Sequence, residues 1–226
     1  MSLSDELKTE VAKIFHDVWQ FTDGRVVPEP DAVPFGNRGV LLDGTVLYAD
    51  LTQSTGLVDK YKKEMAAEVY KTYLHCAGKI IRNEGGVITA YDGDRIMAVF
   101  LGENKDTLAT RAALKIEYAR TIILNPAFKN HYPTIDYSIR HTVGVATSQL
   151  LAARTGVRGA NDLVWVGSAA NHAAKLTTLP EFPIWITKPV FDRLAPAFKG
   201  SGVWQARRWT EMNQMIYGTT HRSTNL

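Results

Sequence analysis

Between Val46 and Phe100, two apolar runs each bring a carboxylate to a place where the chain must turn. The first, Val46-Leu47-Tyr48-Ala49-Asp50-Leu51, reads as a strand ending in the polar turn Thr52-Gln53-Ser54-Thr55. The second is a hairpin, Val87 to Tyr91 and Arg95 to Leu101, with Asp92-Gly93 at its turn and Asp94 just beyond. Residues 53–83 between them carry Leu57, Tyr61, Met65, Val69, Tyr73, Ala77 and Ile80 on one helical stripe. Glu84-Gly85-Gly86 ends that helix, because glycine suits the left-handed exit. If the strands pair, Asp50 and Asp94 meet at one edge of a sheet. Taken singly, Asp50 is an ordinary helix cap and Asp94 an ordinary turn residue. Taken together they are like charges that are costly to hold without a cation. Hard divalent ions accept such oxygen ligands and complete their shell with water and substrate phosphates. The backbone N–H groups after Asp50 open a helix, which favours phosphate. Cation and cradle together point to a nucleoside triphosphate.

The remaining sequence bounds this reading. A chain of 226 residues is long enough for one large domain with a real core. A net charge of +3 does not call for nucleic acid as a partner. The single cysteine, Cys76, excludes an internal disulfide and reads as a small core residue. The start shows no basic region followed by an apolar run, and no stretch is long enough to span a bilayer, so a cytoplasmic protein without a membrane partner is expected. His75, His131, His141 and His172 lack zinc-ligand spacing.

Along the chain, residues 4–21 form a helical stripe of Leu7, Val11, Ile14, Phe15, Val18 and Trp19, capped by Ser4, that packs on its own domain or serves as a dimer arm. Residues 22–44, rich in Pro and Gly, read as an extended linker. Residues 104–124 form a second helix stopped by Asn125-Pro126, and residues 135–147 a third strand. Residues 150–162 read as an irregular excursion, followed by a short strand over 163–166 and a helix after Gly167-Ser168 whose alanines let another backbone approach closely. Strands over 183–187 and 203–209, a short helix over 189–194 and a polar, frayed tail complete the chain. This order predicts an α+β fold with a mixed sheet. The expected division is 1–43 for the N-terminal helix and linker, 44–217 for the catalytic domain and 218–226 for the tail.

Val46 to Thr55 resembles the first metal motif of the class III nucleotide cyclases, and Gly85 to Phe100 their second. Val143-Gly144-Val145-Ala146-Thr147 is similar to their central strand, and Trp165 to Leu176 to their catalytic helix. The resemblance implies a ferredoxin-like βαββαβ core, a head-to-tail homodimer and active sites at its interface. It implies two ions, Mn²⁺ or Mg²⁺, on Asp50 and Asp94, with Asn171 of the other subunit orienting the ribose. Lys175 stands where the family has an arginine facing the α-phosphate, which keeps the charge but loses the planar fork. Either Lys175 takes that role or Arg140, Arg154 or Arg158 does; its alternative is a solvated helix residue. Thr52, Ser54, Thr55 and Arg140 are candidate nucleotide-binding residues. Arg207 and Arg208 reach triphosphate oxygens or lie on a solvated strand edge.

The positions that read a purine in the family are Ala90 and Val164 here, with Asp162 two residues away. Neither purine pair is present, and a site without those groups discriminates against purines. Tyr91 is bulky enough to narrow the base pocket towards a pyrimidine. In its overall length, the linker before its first strand and its Asn171-His172-Ala173-Ala174-Lys175 helix, the chain resembles the compact pyrimidine cyclases of bacterial anti-phage (Pycsar) systems. That implies conversion of UTP to cyclic UMP, a second messenger read by a separate effector protein. CTP as substrate, then ATP, then a degenerate regulatory domain are the ordered alternatives.

Overall fold

The computed structural model describes residues 2–157 and 159–226. Helix α1 (Leu3–His16) opens on a capping box made by Ser2 and Asp5, two residues ahead of the expected Ser4. It ends at His16, and strand β1 (Gln20–Asp23) follows. No residue of α1 is buried, so its apolar stripe faces outward in the single chain.

Strand β2 (Arg38–Leu51) begins inside the stretch expected to be a linker and runs through Gly44. Glycine is tolerated there because Leu150 and Val99 crowd the space a Cβ would take. The next helical stretch is two helices, α2 (Ser54–Lys60) and α3 (Lys63–Asn83), because the chain is extended at Tyr61 and Lys62. Gly85, with φ +83°, then turns the chain into β3 (Val87–Asp92) and β4 (Arg95–Phe100). Helix α4 (Lys105–Tyr118) passes through a π-helical stretch at 119–124 into α5 (Asn125–His131). Pro126 therefore starts a helix rather than stopping one: it sits in a first turn, where its missing N–H is not needed.

Strands β5 (His141–Val157) and β6 (Ala160–Val166) form one long hairpin where an irregular excursion was expected. Helix α6 (Ser168–Leu176), strand β7 (Ile184–Thr187), helix α7 (Lys188–Arg193) and strands β8 (Gln205–Trp209) and β9 (Gln214–Thr219) complete the fold. The last of these falls on residues given no element from the sequence and on the start of the expected tail.

The sheet runs β3-β4-β2-β5-β7-β9-β8, with β1 on β2 and β6 on β5. In chain order its first four long strands, β2, β3, β4 and β5, lie as 4-1-3-2, the ferredoxin-like arrangement. Among the described residues only the β1–β2 and β5–β7 pairs are parallel, so the sheet is mixed. Alternation along β2 separates two cores. Leu47, Ala49 and Leu51 face α3 and α4, whereas Leu42 and Val46 face Ala169, Ala170 and Ala173 of α6. The helix sits so close that a Cβ on Gly144 of β5 would lie 2.2 Å from the Ala173 carbonyl oxygen. No helix among the described residues is long and apolar enough to cross a membrane.

Candidate active site

Asp50 is the next-to-last residue of β2, opposite Arg95 of β4 on one side and Thr142 of β5 on the other. Two residues on from Tyr48, it shares the α6 face of the sheet. Asp94 follows Gly93, whose φ of +61° makes the tight β3–β4 turn. Burial, and after it the charge of Asp94, push the Asp50 carboxyl from 3.8 up to about 7, while Arg95 and a Thr177 hydrogen bond pull the other way. Asp94 Oδ2 is buried without a hydrogen-bond partner.

An orphaned buried carboxylate oxygen beside a second carboxylate with a raised pKa fits a hard cation. No group of three or more His, Cys, Asp or Glu side chains gathers there or elsewhere among the described residues. The ions would therefore keep most of their positions for water and phosphate oxygens.

Beside this pair, the Thr52 amide donates to the Arg140 carbonyl at 2.9 Å, and the Thr52 and Thr142 hydroxyls lie 3.4 Å apart. Thr52 and Arg140 line two clefts, of about 620 and 690 Å³. Gln53, in the left-handed region at φ +63°, opens α2, and its neighbours Gly56, Leu57 and Lys60 line the smaller cleft. Ser54 and Thr55 form the first turn of α2 without joining either lining.

Around the base-reading positions, Ala90 packs with Tyr48 against the cluster containing Met97, on the Asp50 face. Tyr91 pairs with Ile96 and projects from the opposite face, its hydroxyl over Gly78 of α3. Val164 is exposed opposite Ala153 on the β5–β6 hairpin. Asp162 lines a cleft of about 800 Å³ with Ala90 and Tyr91.

Asn171 and Lys175 are exposed on α6, and Lys175 is bonded to Glu211 in the β8–β9 turn. It is the end of α6, at Thr177, that meets Asp50. Asn171 lies six residues earlier, about 9 Å back along the axis at 1.5 Å per residue. One chain thus sets Asp50 beside Asp94, with Thr52 two residues on and bonded to the Arg140 backbone, while Asn171 lies more than a helical turn back from Thr177 and Lys175 is engaged by Glu211.

The other cations are otherwise engaged. Arg154 bonds Asp31 and Asn161, Arg207 bonds Glu181, and Arg208 bonds Asn213. Arg158 lies outside the described residues. His172 stacks edge-on against Trp209, 5.5 Å between ring centres, and so packs within the chain.

Two residues that sequence reasoning passed over, Glu117 and Arg120, and one it set aside as a zinc ligand, His141, cluster next to the β5 partner of Asp50. Glu117 of α4 takes two 2.7 Å bonds from Arg120, and His141 Nε2 lies 2.9 Å from it. Burial alone would raise the Glu117 carboxyl, but the bonds from Arg120 and His141 hold it down to about 2. Burial lowers the His141 pKa while Glu117 pulls the other way, and Arg120, with its two bonds, supplies the opposite charge to Glu117. His141 is next to Thr142, the β5 partner of Asp50. A carboxylate on an apolar helical stripe was the available signal. Tyr48 is a fourth: half-buried on the Asp50 face, its hydroxyl is pushed up by burial and sits near Arg95 and Asp92.

No family model matches the chain. It is 48% identical over 227 residues to a uridylate cyclase of Xanthomonas perforans, covering 98% of both chains. To a uridylate cyclase of Burkholderia cepacia it is 46% identical over 229 residues, 99% of this chain and all of that one. The chain belongs to the class III nucleotide cyclases, in their uridylate cyclase group. It is a nucleotide cyclase. Among solved structures, its fold matches the guanylyl cyclase Cya2 with a TM-score of 0.71 at 16% identity, covering 82% of this chain and 95% of that one. The adenylyl cyclase CyaB of P. aeruginosa matches at 0.66 and 18%, covering 82% and 97%. At those identities the likeness speaks for the fold of the cyclase alone.

Proposed function

We propose that this cyclase converts UTP to 3′,5′-cyclic UMP and diphosphate, as a cytoplasmic second messenger in bacterial anti-phage defence that a separate effector reads. The observation that carries the reading is the coupled Asp50–Asp94 pair, in a chain 46–48% identical to two uridylate cyclases over nearly full length.

In the reaction the ribose 3′-oxygen bonds to the α-phosphorus, the bond to the bridging oxygen breaks, diphosphate leaves and the hydroxyl proton passes to water. Two divalent ions, Mn²⁺ or Mg²⁺, on Asp50 and Asp94 would supply the positive charge that acidifies the 3′-hydroxyl and neutralises the leaving diphosphate. Thr52 and Arg140 hold the phosphate chain beside the acidic pair. Asn171 orients the ribose, and Lys175 faces the charge that develops on the α-phosphate. Because Asn171 lies more than a helical turn back from Thr177 and Lys175 is engaged by Glu211 within one chain, we infer that they serve the acidic pair of a second copy, in a homodimer with two composite sites. Tyr48 and Ala90 offer the base an aromatic and an apolar surface without the polar groups a purine edge needs.

CTP is the second reading, and Asp162 favours it: a carboxylate in the cleft with Ala90 suits the exocyclic amine of cytosine. Incubation with Mn²⁺ and, separately, UTP, CTP, GTP or ATP tests both readings. Cyclic UMP alone is the expected product. Cyclic CMP alone selects the second reading, and a cyclic purine overturns the account of the base pocket. Product formation that survives Asp50→Ala together with Asp94→Ala refutes the metal site.

A further inference from the structure

The cleft of about 690 Å³ adjoins Asp50 through its neighbours: Thr52, two residues on, and Thr142, its β5 partner, both line it. The same lining holds three cations, Arg120, Arg140 and Arg222, and two carboxylates, Glu117 and Glu181. These three cations are not equivalent. Arg120 is spent on Glu117 and on the Ile139 carbonyl. Arg140 and Arg222 are exposed, and among the described residues neither has a carboxylate within 4.0 Å.

Arg222 belongs to the segment expected to be a frayed tail, yet the structure ties that segment down on both sides of it. Before it, Thr219 is buried, its hydroxyl donates to the Val203 carbonyl at 2.6 Å, and it accepts from the His221 amide at 3.0 Å. After it, the Ser223 amide donates to the Leu114 carbonyl at 3.1 Å. A guanidinium held by its backbone, without an acidic partner within 4.0 Å among the described residues, in a cleft that Thr52 and Thr142 share with it, is placed for a polyanion. A volume of about 690 Å³ accommodates the phosphate chain of a nucleotide.

We propose that Arg222 binds the terminal phosphates of the nucleoside triphosphate, sharing them with Arg140. The inference rests on the cyclase reading above and extends its site to the C-terminal segment. A planar fork on a multiply charged phosphate gives short, charge-assisted bonds. The ligand is the triphosphate end of the substrate, so the base plays no part in it.

The test compares wild type with Arg222→Ala, Arg222→Lys and Arg222→Glu by steady-state kinetics with the productive nucleotide and by inhibition with inorganic tripolyphosphate. Arg222→Ala is expected to raise KM about tenfold, as loss of one charge-assisted contact does. It should weaken tripolyphosphate inhibition by the same factor, at unchanged Tm. Arg222→Lys should recover most of the loss and Arg222→Glu deepen it, a grading by charge that a role in tail packing alone would not give. KM and tripolyphosphate inhibition within twofold of wild type in both Arg222→Ala and Arg222→Glu would overturn the proposal. Asp50→Ala separates the two ideas, since a cyclase that keeps turning over without Asp50 refutes the metal-site reading whatever Arg222 does. If wild type turns over no nucleotide, calorimetric binding of tripolyphosphate to the full chain decides. Loss in Arg222→Ala supports the assignment, and equal binding overturns it.

Discussion

Replacing Asp94 by Asn should abolish turnover and, with divalent ions removed, stabilise the protein at alkaline pH. Asp50 is carried from 3.8 to about 7 by burial first and Asp94 second. About three units correspond to about 4 kcal/mol at 1.36 kcal/mol per unit. Water reaches the half-buried Asp50, so screening cuts this to about 1–2 kcal/mol, of which removing Asp94 returns about 0.5–1. The folded-state pKa lies above the unfolded one. This contribution is therefore fully present below about 4 and lost as pH rises through about 7. Wild type should weaken over that window more than Asp94→Asn does. At pH 5 Asp50 is protonated in the folded state of both proteins and their melting temperatures should nearly coincide. At pH 8 the variant should melt about 1–4 °C higher, at roughly 2–4 °C per kcal/mol for a chain of this length. Thermal scans in chelator at the two pH values measure the difference, and effects of other titrating groups cancel. Added Mn²⁺ at pH 8 should reverse the order, since a ligand that binds only the folded state stabilises it, by about 2.7 kcal/mol at a hundred times Kd. An advantage of equal size at pH 5 and pH 8, or none at pH 8, would refute the like-charge account of the site.

Two further outcomes follow from the packing beneath it. Glu117→Gln breaks a buried charge pair and should cost about 3 kcal/mol at pH 7. Because the Glu117 pKa is depressed to about 2, its contribution is present above about 4.5 and lost as pH falls towards 2, so urea titrations of the two proteins should converge in acid. Gly144→Ala drives a methyl group to 2.2 Å from the Ala173 carbonyl and 2.8 Å from Leu176 Cβ, which must lift α6 from the sheet. A loss of about 2–3 kcal/mol by denaturant titration, with activity falling more than tenfold, is expected.

How far these features could be read from sequence depended on whether one physical signal acted alone. The β2-helix-β3-β4 unit was legible because apolar alternation, helical spacing and the Gly85 and Gly93 turns all agree. The carboxylate pair followed from that unit. The β5–β6 hairpin was not legible: Thr155, Gly156 and Val157 are all exposed, so no buried face imposes alternation. The start of β2 was hidden behind residues rich in Gly and Pro. Strand β9 was missed because Thr210 to Asn213 make a tight turn whose left-handed residue is Asn213 rather than glycine. The Glu117–Arg120–His141 cluster and Arg222 depend on contacts across α4, β5 and the C-terminal segment that no local pattern announces. Tyr91 neighbours Ala90 in sequence and lines the same cleft, but the twofold period of a strand turns it to the face away from Asp50.

Asn171 lies more than a helical turn back from Thr177, which meets Asp50 at the end of α6. A single chain holds Lys175 against Glu211, an exposed contact of small worth that a partner's phosphate can replace. If each site takes Asp50 from one copy and Lys175 from the other, Asp50→Ala and Lys175→Ala should each be nearly inactive yet complement one another. In a two-fold dimer of one of each, one site carries both changes and the other neither. Mixing equal amounts and allowing exchange makes about half the dimers mixed, each with half its sites intact, so about a quarter of wild-type activity should return. The recovered activity should keep the wild-type KM, because the intact site is unaltered. A mixture as inactive as its parts, with subunit exchange verified by a size tag on one variant, would place both residues in the same copy's site. The lysine would then have to leave Glu211 and cross to Asp50 within one chain.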